Sequence, residues 1–205
     1  WTAKRATLPD VGRENRHLLR SVRNQWPIIL TAVAVNGAAG FVWNGFFNFY
    51  VRYLTTTKAV PFGLAQTMLT LIFAAGVPAF FYTGRLADRV PQVTLMLSIL
   101  GSFVLALLAI TVVEGIVAIG IVSVVMGYII HSMFPAIDTY LLSSLPDKDR
   151  SSAYSAYSAS MMLIGSTASV IVGSLVQAGF TFDLVYRAFA VVLVLVYYHH
   201  IVPVL

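Results

Sequence analysis

Six long apolar stretches, parted only by short charged or turn-like links, limit this chain more than any other feature. A helix that spans a bilayer needs about 20 mostly apolar residues. Segments 26–50, 61–82, 92–113, 116–145, 152–177 and 184–202 each come to about that length. Between them lie "RYLTTTKAV", "TGRLADRVP", "EG", "PDKDRS" and "AGFTFD". Of the 205 residues, 59% are hydrophobic and 10% charged, where soluble domains carry about 25% charged residues. A soluble fold of this size has too little interior to hide that much apolar surface, so the expected solvent is lipid. The expected fold class is all-α, a polytopic membrane protein of six transmembrane helices. Residues 26–205 would form the bundle, and residues 1–25 a basic cytoplasmic linker lying along the inner membrane face. The first residue is Trp1, and the segment after it is too charged for a signal peptide. The chain therefore reads as a piece of a longer one. With no cysteine, disulfides and cysteine metal sites are excluded.

Orientation follows from Lys and Arg in the flanks. Lys4, Arg5, Arg13, Arg16, Arg20 and Arg23 precede the first stretch, Arg85 and Arg89 follow the second, and Lys148 and Arg150 follow the fourth. Against these ten stand Arg52, Lys58 and Arg187. The imbalance predicts a multi-pass protein of the plasma (inner) membrane with both ends cytoplasmic, its main macroscopic partner being membrane lipid. No nucleic-acid partner is expected.

Polar residues inside a membrane usually face a cavity or another helix, and here they are unevenly shared. The first stretch carries Asn36, Gly40, Asn44 and Asn48 at intervals of four, one slowly winding stripe. The fourth carries Tyr128, His131, Ser132, Pro135, Asp138 and Thr139. The third and sixth are almost wholly apolar, as helices facing lipid would be. The fifth has Gly165, Ser169 and Gly173, a small-residue series that admits a closely packed neighbour. Polar, packing and apolar character thus recurs every three helices, which two three-helix repeats of inverted topology would produce.

A charged motif adds a resemblance. Gly84-Arg85-Leu86-Ala87-Asp88-Arg89 is similar to the cytoplasmic signature G-x-L-A-D-R-x-G-R-[KR] of the major facilitator superfamily. Val90-Pro91-Gln92-Val93 departs from its second part, and that degraded form resembles the repeat in the C-terminal half of such proteins. "LPDKDRSSAYSA" more weakly resembles the lead into the eleventh helix of that family, through Pro146, Arg150 and Ala153. The resemblance implies the six-helix C-terminal half of a secondary active transporter. Its partners would be a small-molecule substrate and an N-terminal six-helix half, or a second copy of itself. It also implies that the first helix of each triplet lines the cavity, the second packs between halves and the third faces lipid. Gly84, Asp88 and Arg89 would belong to a conformational latch loop closing against the opposite half. In physical terms, Gly84 would allow a close turn, and Asp88 would sit just before a helix start, where the dipole favours a carboxylate.

By rise per residue, Asn36, Gly40, Tyr128 and His131 fall at mid-membrane, with Trp43 beside them and Asn44 further outward. These six are the expected substrate-binding residues. The asparagines have a plainer use in bonding neighbouring helices, and His131 in packing. Asp138 lies near the cytoplasmic edge, with either an anchoring or a transport role. No Arg or Lys sits at mid-depth, which disfavours a strongly anionic substrate; a neutral or weakly polar solute fits better. No nucleotide-binding loop, metal site, cofactor or catalytic residue is expected. "IGSTAS" lacks the G-x-S-G pattern of rhomboid-type serine proteases, so an enzyme is disfavoured. The alternative is a half-sized membrane protein that binds or scaffolds without transport.

Overall fold

The computed structural model describes the backbone of residues 18–144 and 147–201, with the side chains of residues 26, 33, 36–92, 94–140, 151–196 and 198. The described residues form six helices: α1 (Leu18–Thr56), α2 (Phe62–Ala87), α3 (Gln92–Val112), α4 (Ile116–Ser144), α5 (Asp147–Gln177) and α6 (Phe182–Ile201). The links reflect local chemistry. Pro61 and Pro91 stand immediately before α2 and α3, where a missing N–H costs nothing. Gly115 and Gly179 take φ of +82° and +97° between α3 and α4 and between α5 and α6, a region that L side chains avoid. At Gly179 the N–H donates to the Val176 carbonyl and the next N–H, of Phe180, to Leu175, the paired bonds that close a helix end.

Several helices run past their apolar stretches. Only 21 residues of α3 and 20 of α6 compare with 39 in α1, which carries on through Arg52 to Thr56. There the Thr55 and Thr56 hydroxyls donate back to the Arg52 carbonyl. Helix α2 likewise includes Gly84 through Ala87, leaving residues 88–91 as the turn. Hydrophobicity marks the apolar part of a helix, whereas the helix itself stops where a proline or a left-handed residue stops it. Among the described residues, four helical segments are both long and apolar enough to cross a membrane: Phe62–Ala87, Thr94–Val112, Ile116–Tyr140 and Ser151–Gln177.

The most extensive packing joins α1 to α5 and α2 to α4; α3 lies against α4 and α6, and α6 against α1. Close approach depends on glycine. A β-carbon at Gly127 of α4 would stand 2.7 Å from the Ile72 Cα of α2, nearer than atoms can come. On α5, one at Gly165 would stand 3.0 Å from Asn44 Nδ2, so the small series of α5 is fitted to α1. The core gathers Phe46, Tyr50, Tyr53, Phe103, Leu107, Ile110 and Tyr186, all fully buried.

The expectation for α3 holds for one side of the helix only. Helix α3, apolar enough to be assigned to lipid, has 50% of its spanning window buried inside the chain, while α5 has 11%. Lipid tails are as apolar as leucine, so an apolar run does not reveal whether its neighbours are protein or acyl chains. Outward-facing Leu105, Leu108 and Val112 show that only one side of α3 is covered.

Two clusters mark opposite ends of the bundle. The α1–α2, α3–α4 and α5–α6 turns meet at one end, here the far end. The α2–α3 and α4–α5 turns, with Arg85 and Arg89, lie at the other, the basic end. At the far end the Tyr53 hydroxyl donates to Asp183 Oδ1 at 2.7 Å, with the Ile110 carbonyl at 2.9 Å sharing the same hydrogen. Lys58 Nζ donates to the Thr111 carbonyl, and Arg187 Nε to the Thr111 hydroxyl, both at 3.0 Å. The knot ties α1, α3 and α6 together.

Candidate functional site

A cavity of about 250 Å³ lies between α1, α4 and α5 and reaches from mid-bundle toward the α4–α5 turn. Helix α1 lines it with Asn36, Gly40 and Trp43, which follow one another at intervals of four and three and so share a face. Helix α4 adds Ile130, Met133, Phe134, Ile137 and Asp138, and α5 adds Tyr154, Tyr157, Ser158 and Met161. Gly40 keeps this face open: a β-carbon there would stand 2.9 Å from the Met161 Cε.

The Asn36 amide is the anomaly of the site. It is 1% exposed, and neither its Oδ1 nor its Nδ2 has a hydrogen-bond partner among the described residues. A buried polar group left this way costs about 1–3 kcal/mol, and most native structures hold few such groups. Asn36 lines the cavity, but its amide atoms expose almost no surface to it, so a partner reaches them only if the wall shifts. Asp138 is half-buried in the same cavity and accepts a hydrogen bond from the Tyr154 hydroxyl at 2.8 Å.

The other expected substrate residues are dispersed. Asn44 turns away from the cavity. Its Nδ2 donates to the Gly40 carbonyl at 2.8 Å, and its amide packs on Gly165. Asn48 Nδ2 donates to the Ser169 hydroxyl at 2.7 Å. The winding of the four-residue stripe explains the split, since each step rotates about 40° and carries Asn44 and Asn48 onto the α5 contact. Tyr128 is exposed on α4 and does not line the cavity. His131 sits in an aromatic box beside it, its ring centroid 5.9 to 6.2 Å from those of Trp43, Phe73, Phe80 and Phe134. Its Nδ1 is 2.7 Å from the Gly127 carbonyl. A carbonyl only accepts, so Nδ1 carries the hydrogen. The ring also fills the space that a side chain on Gly76 would need. Trp43 and Phe134 are shared between the box and the cavity.

The sequence reading missed the α5 wall. Tyr154, Tyr157 and Met161 stand on one helical face, and two tyrosines in the small-residue run "SSAYSAYSAS" were the signal available. No group of three or more metal-ligating side chains is found among the described residues.

The loop residues depart from their expected geometry. Gly84 lies inside α2, not in a turn, and a β-carbon there would meet nothing within 4 Å. Asp88 ends α2 in right-handed helical geometry, φ −77° and ψ −13°, while Pro91 takes the position before α3. A carboxylate at a helix C-terminus opposes the dipole. Asp88 and Arg89 are both exposed, and Arg85 stacks over the Phe81 ring, its Cζ 3.7 Å from the centroid. Lys148, Arg150, Pro146, the paired His199 and His200, and the basic arm before residue 18 lie outside the described side chains.

The family model described as Major Facilitator Superfamily matches residues 10–204, nearly the whole chain. The chain belongs to the Major Facilitator Superfamily. No curated protein matches it. Membership accounts for the charged motif at the end of α2 and for the apolar helices, and supports a multi-pass membrane transporter of this family.

Proposed function

We propose that the chain is the C-terminal six-helix half of a secondary active transporter that moves a small organic solute by alternating access, with the cavity as its binding site. The unpartnered Asn36 amide beside that cavity carries the reading, because a transporter tolerates such a cost where a substrate relieves it. All six helices cross the membrane, with both chain ends cytoplasmic in the plasma (inner) membrane. The arrangement is two inverted triplets, α1–α3 and α4–α6. Support comes from the exchange of partners. Helix α1 packs on α5, and its counterpart α4 packs on α2; α6 lies on α1 as α3 lies on α4. A two-fold axis in the membrane plane would generate those pairs. The far-end knot closes the route outward, so this form serves the basic, cytoplasmic side. Gly84, Asp88 and Arg89 face a missing N-terminal half, and His131 supports the cavity by holding Trp43 and Phe134.

The chain has no cysteine, so Ser158→Cys places a single reporter in this segment, at the cavity wall. In proteoliposomes of the complete protein, a membrane-impermeant maleimide should reach it from either face, access from one falling as access from the other rises. Reaction from one face under every condition would sink alternating access.

A further inference from the structure

Resting on the reading of the cavity as the substrate site, we infer that the solute is a small protonated amine with an aromatic or otherwise flat apolar body. The deciding residue is Asp138. Sequence depth placed it at the membrane edge, but it lines the cavity, half-buried, with Asn36. Among the described residues, no Lys, Arg or His lines the same space. One phenol, Tyr154, donates to Asp138 Oδ1. A hydrogen bond from a neutral donor does not compensate a carboxylate charge, and among the described residues no cation does so; a half-buried charge favours a counter-charge.

The remaining walls suit the same ligand. Trp43, Phe134, Tyr154 and Tyr157 present aromatic surface, which attracts cations through the ring quadrupole. Met133 and Met161 add polarisable, adaptable contacts that fit a flat apolar body. The Asn36 amide, at the mid-bundle end of the cavity, has almost no exposed surface and would bond a heteroatom at the far end of the solute from its ammonium once the wall around it shifts. The volume of about 250 Å³ lies just under the usual range for ligand pockets, roughly 300–1,000 Å³. It admits a molecule of one or two rings. An anion would meet Asp138 with no cation among the described residues to offset it.

Three probes with one ring system and different charge test this: tryptamine as the cation, tryptophol as the neutral analogue and indole-3-acetate as the anion. Their binding to the purified complete protein in proteoliposomes is measured by calorimetry. Tryptamine should bind about tenfold more tightly than tryptophol, as expected when a hydrogen bond gains charge, and indole-3-acetate should bind least. Asp138→Asn keeps an acceptor for Tyr154 but removes the charge, and should erase the preference of tryptamine over tryptophol. Tyr154→Phe should retain the preference, since the phenol is not its source. Equal binding of tryptamine and tryptophol, preference for the anion, no binding of any probe, or a preference that survives Asp138→Asn would each overturn the inference. Failure here with alternating labelling at Ser158→Cys leaves the transporter standing and removes only the substrate class. Cation preference without alternating labelling does the reverse.

Discussion

The two ends of the bundle each bury polar groups, and they treat them in opposite ways. At the far end, Tyr53, Asp183, Lys58, Thr111 and Arg187 satisfy one another across three helices. Toward the basic end, Asn36 is buried with no partner and Asp138 has the neutral Tyr154 phenol beside it. The far end has an orphan of its own, the Tyr186 hydroxyl. The Tyr186 ring packs among those of Phe46, Tyr53 and Phe182, its centroid 5.0 to 5.9 Å from theirs, and the residue is fully buried. The lesson lies in what surrounds an unmet hydrogen bond. One enclosed by packed rings is a fixed cost; one facing a cavity can be met by something that arrives and leaves.

The comparison is broken most forcefully at Tyr53. Tyr53→Phe removes the hydroxyl shared by Asp183 and Ile110, leaving a carboxylate and a carbonyl without their donor. The expected cost is about 2 kcal/mol, read as a lower thermal midpoint in detergent. Outer-face labelling of a cysteine placed at Ser158 should rise as the knot loosens. An unchanged midpoint would show that the knot does not hold this end shut.

A smaller effect of opposite sign is expected at the basic end. Asn36→Leu replaces an unpartnered amide with an apolar group of similar size. It should raise stability by about 1 kcal/mol while abolishing uptake by the complete protein. Gain of stability with loss of transport separates a binding group from a structural one. If the variant unfolds more readily instead, Asn36 is a packing residue and the contrast between the ends disappears.

How far the sequence revealed this depends on which physical property was read. Apolar length located all six helices, because lipid demands it, but did not place their ends, which Pro61, Pro91, Gly115 and Gly179 determine. The four-residue stripe brought Asn36 and Gly40 to the cavity, yet the same stripe carried Asn44 and Asn48 to α5, because periodicity gives a direction without naming the neighbour found there. Depth and face together did not bring Tyr128 to the cavity: it lies one turn before His131 on α4, and neither lines it. Asp138 was left between an anchoring and a transport role because its depth was counted along one helix, whereas the cavity is made by three. The α5 tyrosines were hidden by the small residues around them, which advertise packing more loudly than binding.

The smallest expected effect tests whether the basic end is finished within this chain. Gly84 occupies the interior of α2 with open space where a side chain would go. Judged from these residues alone, Gly84→Ala should stabilise α2 by roughly 0.5–1 kcal/mol, since glycine in a helix costs about that much relative to alanine. Thermal unfolding of this chain by itself should show that small gain. In the complete protein the same methyl group would enter whatever packs against the α2 turn. A gain in the isolated chain together with reduced uptake in the complete protein would place a close-fitting partner at Gly84, beside a carboxylate, Asp88, that ends its helix against the dipole. A gain in both would mean that nothing presses on this face, and the far end would then be the only one that closes by contact.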